Sequence, residues 1–590
     1  MKRSITVIGI LLALLLSLVG CGEGTGVVTE GESDTSLPSS PVYVEDGAEL
    51  FTERDLNDSF DAAACVRITL AGTEVTSTSD AVVYREGRVL LTEAGTYYVT
   101  GVLDDGQIVV NAPETAKLQI VLDGATVRSA TSAALYVLEC DKTVVTLAEN
   151  SANELSNGGE FFSTDENEID AAVFSKQDLT FNGMGSLTVM SPAGHGIVSK
   201  DDLVMVGGTY TVSAASHGVD ANDSVRIADG SFTVTAGKDA IRAENNDDTA
   251  LGFVYVRSGM FDLSAGGDGV SASAYLQIDG GSFSIVAGGG SANGSHQSPE
   301  NLGGFPGWGG SSSSDTDGTS MKGLKGQTGI LMKSGTFTVD SADDAVHSNG
   351  SVAVNGGTFG IATGDDGFHA DENLTVSGGR IDITKSYEGL EALHVTVSGG
   401  EISLVASDDG INAAGGVDGS GVGGRGDDMF GGGMSGGRPR AGMGGLSSGG
   451  SIVISGGTLY IEASGDGIDA NGTVEITGGC TVVCGPTQGD TAVLDYDRSA
   501  VISGGTLIGT GSANMAQSIS GSGQGVIALR MSGNQSAGTV ITVTDQSGAV
   551  ILTRTPELSF GLVILSSPQL VKGESYTVTV GASSGTFSAS

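Results

Sequence analysis

Positive charge, tryptophan and proline are all scarce in this chain of 590 residues. Lys and Arg number 27 against 70 Asp and Glu, Trp occurs once and Pro ten times. The shortage of Lys and Arg excludes a nucleic-acid binder, because neutralising a phosphate backbone requires clustered cations. Few prolines and no G-X-Y period exclude collagen. Five cysteines over such a length make no disulfide framework. Glycine is the abundant residue, with 97 copies, more than twice the roughly 7% of average usage. Each interior Gly costs a helix about 1 kcal/mol relative to Ala, so little helix is expected. Disorder is disfavoured as well, since 39% of residues are apolar and they are patterned. What remains is a long β protein of net charge −43 with a large or repeating core.

The N-terminus carries Lys2-Arg3, an apolar run from Ile5 to Val19, and Leu18-Val19-Gly20-Cys21. A charged start and a short apolar run form a secretion signal over residues 1–20. The last four residues resemble a bacterial lipobox, which implies cleavage before Cys21 and lipidation of its thiol. Residues 21–45, rich in Gly, Ser, Thr and Glu, then read as a solvated tether. The expected location is extracytoplasmic, lipid-anchored to the bacterial membrane and cell surface. The other cysteines, Cys65, Cys140, Cys480 and Cys484, have no zinc-type spacing and are expected as small core residues.

Internal repetition dominates the rest. Lys322, Asp344, Asp366 and Glu388 fall 22 residues apart, each opening a short motif such as Asp366-Gly-Phe-His369 or Asp409-Gly-Ile-Asn412. Within one unit Ser351–Val354 alternates, Asn355-Gly-Gly turns, Thr358–Ile361 alternates again, and Asp365-Asp-Gly turns before Phe368. Three short strands per repeat, with turns at fixed offsets, predict an all-β, single-stranded parallel β-helix of about 22 residues per coil. Its inward positions form one ladder through Val219, Ile241, Val346, Phe368, Leu390 and Ile468. A second runs through Phe232, Phe261, Phe283, Phe337 and Phe359. The pattern predicts a β-rich N-terminal cap at 46–100, the β-helix at 101–525 with Gly-rich insertions near 288–319 and 414–448, and a C-terminal β cap at 526–590.

Repetition also stacks charge. Asp344, Asp366, Glu388, Asp409 and Asp466 occupy one column, with Asp343, Asp365 and Asp408 beside it. Three positions on lie His347, His369, Glu391, Asn412 and Asp469. Unit charges about 4.8 Å apart repel by about 0.9 kcal/mol in bulk water, and several times more inside a protein. Such a column needs cations, retained protons or outward side chains. Carboxylates and turn carbonyls are the ligands Ca²⁺ prefers, so one reading is a row of calcium sites. The other is turn capping, in which each Asp binds backbone N–H groups with no metal. Imidazole is a poor calcium ligand, so His347 and His369 are expected as outer contacts or exposed turn residues, with Glu391 and Asp469 as weaker candidates.

The series SADDAVHSNGSVAVNGGTF, GDDGFHADENLTVSGGRIDITKSYEGLEA, VASDDGINAAGG and SGDGIDANG resembles the carbohydrate-binding domain-containing surface proteins of polysaccharide-degrading bacteria. That resemblance covers about residues 65–580. It implies a right-handed parallel β-helix similar to polysaccharide lyases, bound calcium, and binding of plant-type polysaccharides such as cellulose and polygalacturonate. The calcium ligands it implies are Asp343, Asp344, Asp365, Asp366, Glu388, Asp408 and Asp409. Lys322, His195 and His217 depart from the acidic pattern.

Three functions follow from these observations. The first is non-catalytic, calcium-dependent polysaccharide binding, in which Ca²⁺ bridges an acidic protein to anionic sugar and Trp308 and Tyr387 offer exposed rings. The second is a structural or adhesive envelope protein in which calcium only rigidifies the coils. The third is a calcium-dependent pectate lyase, for which Lys385 is the best candidate base; its alternative role is a salt bridge screening the acidic column.

Overall fold

Gly-containing turns separate the short apolar runs, and each run becomes one strand. Around residue 350 the strands are Val346–Ser348, Ser351–Val354 and Thr358–Thr363. Each pairs in parallel with its equivalent further along the chain: Val346 with Phe368, Val352 with Leu374, and Phe359 with Ile381. The computed structural model describes residues 43–162, 165–294, 320–413, 449–487, 489 and 491–590. The signal segment, Cys21, Trp308 and most of both Gly-rich insertions lie outside these residues. Within them, helix is confined to three short turns, Gly47–Leu50, Glu53–Leu56 and Ser291–Asn293. The fold is all-β and β-helix-like: a sheet of 47 strands, mostly in parallel register, and an antiparallel sheet of four.

Alternate residues of each strand point inward, and stacking turns them into ladders. Val219, Ile241, Val346, Phe368, Leu390 and Ile468 are all sealed in the core. Phe232, Phe261, Phe283, Phe337 and Phe359 stack face to face, with successive ring centroids 5.0, 4.4, 5.0 and 4.7 Å apart. Aromatic contacts of this kind add about 0.5–1.5 kcal/mol each beyond area burial. Both insertions leave the stacking intact: Val270 pairs with Leu324 across one, and Ile411 with Ile468 across the other.

Two glycines show why the turns need that residue. Gly357 has φ of 107°, a region closed to most side chains. At Gly367, between Asp366 and Phe368, a Cβ would lie 2.5 Å from Ile383 Cδ1 and 2.6 Å from the Gly389 carbonyl oxygen. The close approach of one coil to the next excludes a side chain there.

The ends are less regular. Parallel pairing starts earlier than the alternation suggests, with Val66–Gly72 alongside Gly95–Leu103. The hairpins of 66–77 and 82–91 interrupt these first layers and hide their periodicity. Residues 43–60 form a strap along one side of the stack. Val44 exchanges hydrogen bonds with Gln277, Phe51 packs on Tyr255, Arg226 binds the Leu50 carbonyl, and Asp55 pairs with Lys142 at 2.7 Å. At the other end Phe560–Ser566 pairs antiparallel with Thr506–Gly511 and Val526–Gln535.

Cysteine placement needs one correction. Cys65, Cys140 and Cys484 are buried, but Cys480 is half-exposed on the outside of its strand. Its neighbour Cys484 is covered because the C-terminal sheet brings Glu557 within 3.3 Å of its sulfur.

Candidate cation site

The acidic column stands at the turn that leads each coil back into the core. One carboxylate oxygen of each Asp accepts the backbone N–H of its equivalent in the next layer. Asp268 accepts from Lys322 at 2.8 Å, Asp344 from Asp366 at 3.0 Å and Asp366 from Glu388 at 3.0 Å. Asp409 accepts from Asp466 in the same way. Turn capping and cation binding therefore do not compete for the same atom. Capping uses Oδ1 and leaves Oδ2 facing its neighbours.

What those second oxygens meet changes along the axis. In the N-terminal half the chain supplies cations. Arg242 makes a bidentate pair with Asp220 at 2.8 and 3.0 Å, and His217 lies 3.2 Å from Asp239. The buried Lys322 ammonium bonds Asp343 at 3.0 Å and Asp344 at 2.7 Å. His347 Nδ1 reaches Asp344 at 2.8 Å. His369 meets Glu391 at 2.5 Å, Asp371 at 3.1 Å and Asp366 at 3.5 Å. The expectation of exposed turn histidines is corrected: His347 and His369 are buried and their rings stack at 4.8 Å. Being flat and cationic when protonated, imidazole fits between carboxylates that an aliphatic residue would leave unpaired.

Beyond His369 this supply stops. Among the described residues Glu388, Asp408, Asp409 and Asp466 make no ion pair. Carboxylate oxygens of Asp409, Asp466 and Asp469 nevertheless lie within 4.8 Å of one another. Glu388 Oε1 accepts from Asn412 Nδ2 at 3.0 Å. Its Oε2 and the Asn412 Oδ1 are both buried without a hydrogen-bond partner. Two orphaned oxygens in one place are costly, at about 1–3 kcal/mol each.

Proton affinities follow the same gradient. Burial opposes ionisation of Asp344, but the Lys322 ammonium and His347 outweigh it and hold the carboxyl well below its usual range. At Asp343, burial and the Asp344 charge prevail over Lys322, and the pKa is raised. Burial disfavours the His369 imidazolium, yet bonds to Asp366, Asp371 and Glu391 raise it well above an ordinary histidine. One imidazolium does not satisfy three carboxylates: burial and the Glu391 charge still push Asp366 well up. Burial, with Glu391, Asp366 and Asp409, pushes Glu388 well above the carboxylate range. Asp409 rises through burial and the charges of Asp408, Asp466 and Asp469. Asp466 is pushed up to about 7 by burial, with Asp469 and Asp495 adding to it.

Several other residues have defined places. Asp343, Asp344 and Asp365 form a second oxygen cluster, and Asp366, His369 and Glu391 a third. Tyr387 is half-buried and donates its backbone N–H to Asp365 at 2.7 Å. Lys385 is exposed, and its ammonium bonds the Ser291 carbonyl at 2.5 Å. Sequence reasoning overlooked Asn412 as an oxygen donor, although its offset from Asp409 repeats that of His369 from Asp366. It also overlooked Asp178, Asp201 and Asp202, which cluster at a different turn. There burial and neighbouring acids push Asp201 up to about 6. The register that places Asp178 beside Asp202 was the available signal.

Comparison with known proteins bears on what such a site serves. The model of the carbohydrate-binding domain-containing protein family matches residues 85–367 and 366–489. A carbohydrate-binding domain-containing protein of Acetivibrio thermocellus is 33% identical over 129 residues, which is 22% of this chain. That match spans 45% of the relative's length. Among solved structures, the gadolinium derivative of a polysaccharide lyase-like protein from C. thermocellum aligns over 53% of this chain and 96% of its own. It has 23% identity and a TM-score of 0.35. With most of its length matched by the family model, the chain belongs to the carbohydrate-binding domain-containing protein family.

Proposed function

We propose that this protein binds polysaccharide without cleaving it, in a calcium-dependent manner, at a bacterial surface to which a lipidated Cys21 tethers it. The observation that carries the calcium requirement is the pair of orphaned oxygens, Glu388 Oε2 and Asn412 Oδ1, beside the Asp409, Asp466 and Asp469 cluster. This donor set is all oxygen, as a hard divalent cation requires. The clusters nearer the N-terminus fit less directly, because Lys322 and His369 already occupy their oxygens. Calcium held between layers would remove the repulsion of the column and leave coordination positions for an anionic sugar. A chain of net charge −43 otherwise repels polygalacturonate.

The test is retention of the full chain on polygalacturonate and on cellulose, with calcium and with EDTA, together with metal analysis of the dialysed protein. Bound calcium and EDTA-sensitive retention on polygalacturonate are the expected outcome. Failure to bind either polymer refutes carbohydrate binding and leaves a structural envelope role. Release of unsaturated uronide, abolished by Lys385→Ala, would refute the non-catalytic reading.

A further inference from the structure

One outer surface of the stack differs in chemistry from the rest of the chain. It is built by six neighbouring strands, Thr209–Ala214, Ser231–Ala236, Met260–Ala265, Ser282–Ala287, Thr336–Ser341 and Thr358–Thr363. They pair in parallel without a register shift, so Thr211, Thr233, Asp262, Ser284 and Thr338 form one straight row. A second row contains Thr209, Ser231, Met260, Ser282, Thr336 and Thr358. Strands about 4.8 Å apart and rows two residues apart make a lattice of roughly 4.8 by 6.7 Å, about 24 Å long.

Three properties of this lattice bear on its partner. Its side chains are displayed: the strands alternate buried and exposed residues, and Thr209, Thr211, Thr233, Ser282, Ser284, Thr336 and Thr338 are exposed. Their hydroxyls have no hydrogen-bond partner among the described residues. The surface is also almost uncharged, because Asp262 and Asp340 are the only ionisable residues at its outward positions, in a chain of net charge −43. By contrast, the sheet formed by the strand that precedes each of these, such as Ser224–Ile227 and Gly329–Met332, is covered by residues 43–60 as far as Lys333.

A charged polymer gains nothing from such a surface, and a short soluble sugar would need a concave site with convergent polar groups. A regular array of hydroxyl and methyl groups in unbroken register suits a partner that is itself ordered, uncharged and periodically hydroxylated. Threonine is stiff at χ1 and the sheet is continuous, so little ordering is required on contact. We propose that this face docks on the surface of an ordered, uncharged β-linked polysaccharide, with crystalline cellulose as the probe. The proposal rests on the polysaccharide-binding reading and assigns it a second surface, independent of calcium.

The experiment compares the full chain with a Thr211→Glu, Thr233→Glu, Thr338→Glu variant on microcrystalline cellulose and on polygalacturonate. Asp262 already holds a carboxylate in this row, so the variant is expected to fold, as a melting curve would verify. A control carries the same three charges at Ser377, Ser398 and Ser455, which are exposed on another face. The expected result is at least a tenfold loss of affinity for cellulose in the face variant alone, insensitive to EDTA, with polygalacturonate binding unchanged. Equal binding of the two variants to cellulose, or release of the parent chain from cellulose by EDTA, overturns the proposal. If the parent chain binds polygalacturonate but not cellulose, this face is refuted while carbohydrate binding stands. If it binds neither, both fail.

Discussion

Replacing Lys322 by methionine keeps most of the side-chain volume and removes one buried ammonium. Lys322 is 5% exposed, Asp344 is fully buried and Asp343 is 7% exposed, so water cannot take over the two bonds of 2.7 and 3.0 Å. Breaking a buried pair by removing one partner costs about 3–5 kcal/mol, because the remaining charge is left uncompensated. The loss should appear as a lower urea midpoint for Lys322→Met in EDTA, with little change in slope. Layers of a solenoid are coupled mainly to their neighbours, so a separate early phase assigned to the central layers is an equally direct readout. Calcium should restore part of the loss, because Asp343, Asp344 and Asp365 then offer oxygens within 4.8 Å of one another. A loss below about 1 kcal/mol, typical of an exposed ion pair, would refute the argument that the lysine compensates this part of the column.

The C-terminal half should respond with opposite sign. Glu388→Gln removes a buried carboxyl whose ionised form has no cation beside it, so at a pH high enough to ionise it the variant should melt higher than the parent chain in EDTA. It should also gain less from added calcium; an unchanged calcium response would remove Glu388 from the site. Stability should depend on pH in a direction set by the raised carboxylates. A group whose folded pKa lies above its unfolded value stabilises the fold below the unfolded pKa, and that contribution is lost as pH rises through the folded one. For Asp466 the window runs from about 4 to about 7, and Glu388 and Asp409 act in the same direction. Melting temperature in EDTA should therefore fall as pH is raised from 5 to 8, and calcium should flatten the curve. A rise over that range would contradict the burial of these acids.

How much of this was legible in the sequence depends on whether position or packing decides the feature. Repeat spacing fixes register, so the Phe232–Phe359 stack and the acidic column can be read from residue numbers alone. Spacing also locates both insertions, because Val270 must still meet Leu324 and Ile411 must meet Ile468. It does not say where a long side chain ends. Lys322 breaks the acidic pattern as a letter, yet its ammonium belongs to the column as a charge. Histidine is read as a poor calcium ligand and so placed outside, whereas His369 is held inside by three carboxylates. The strap of residues 43–60 has no period of its own, and nothing local marks Asp55 as the partner of Lys142. The hydroxyl face was hidden for a different reason: exposed Ser and Thr at alternate positions are what any solvated strand shows, and only the unbroken register makes them a lattice.

The gradient of cations along the column suggests why the same turn tolerates both solutions. Where the chain supplies Arg242 or Lys322, the neighbouring acids are largely compensated within the fold, and His369 compensates its three carboxylates in part. From Glu388 onward the acids remain, and their raised proton affinities record a cost to the metal-free protein. A ligand that binds only the folded state offsets such a cost in proportion to the logarithm of its concentration. An acidic run without counter-charges therefore makes the C-terminal layers sensitive to external calcium, while the layers bearing the hydroxyl rows up to Thr358 stand mostly in the self-compensated part. The two surfaces should thus separate under chelation. Removing calcium should loosen the coils after Glu388 and weaken anionic-polymer binding, and leave the sheet from Thr209 to Thr363 able to bind a neutral polymer.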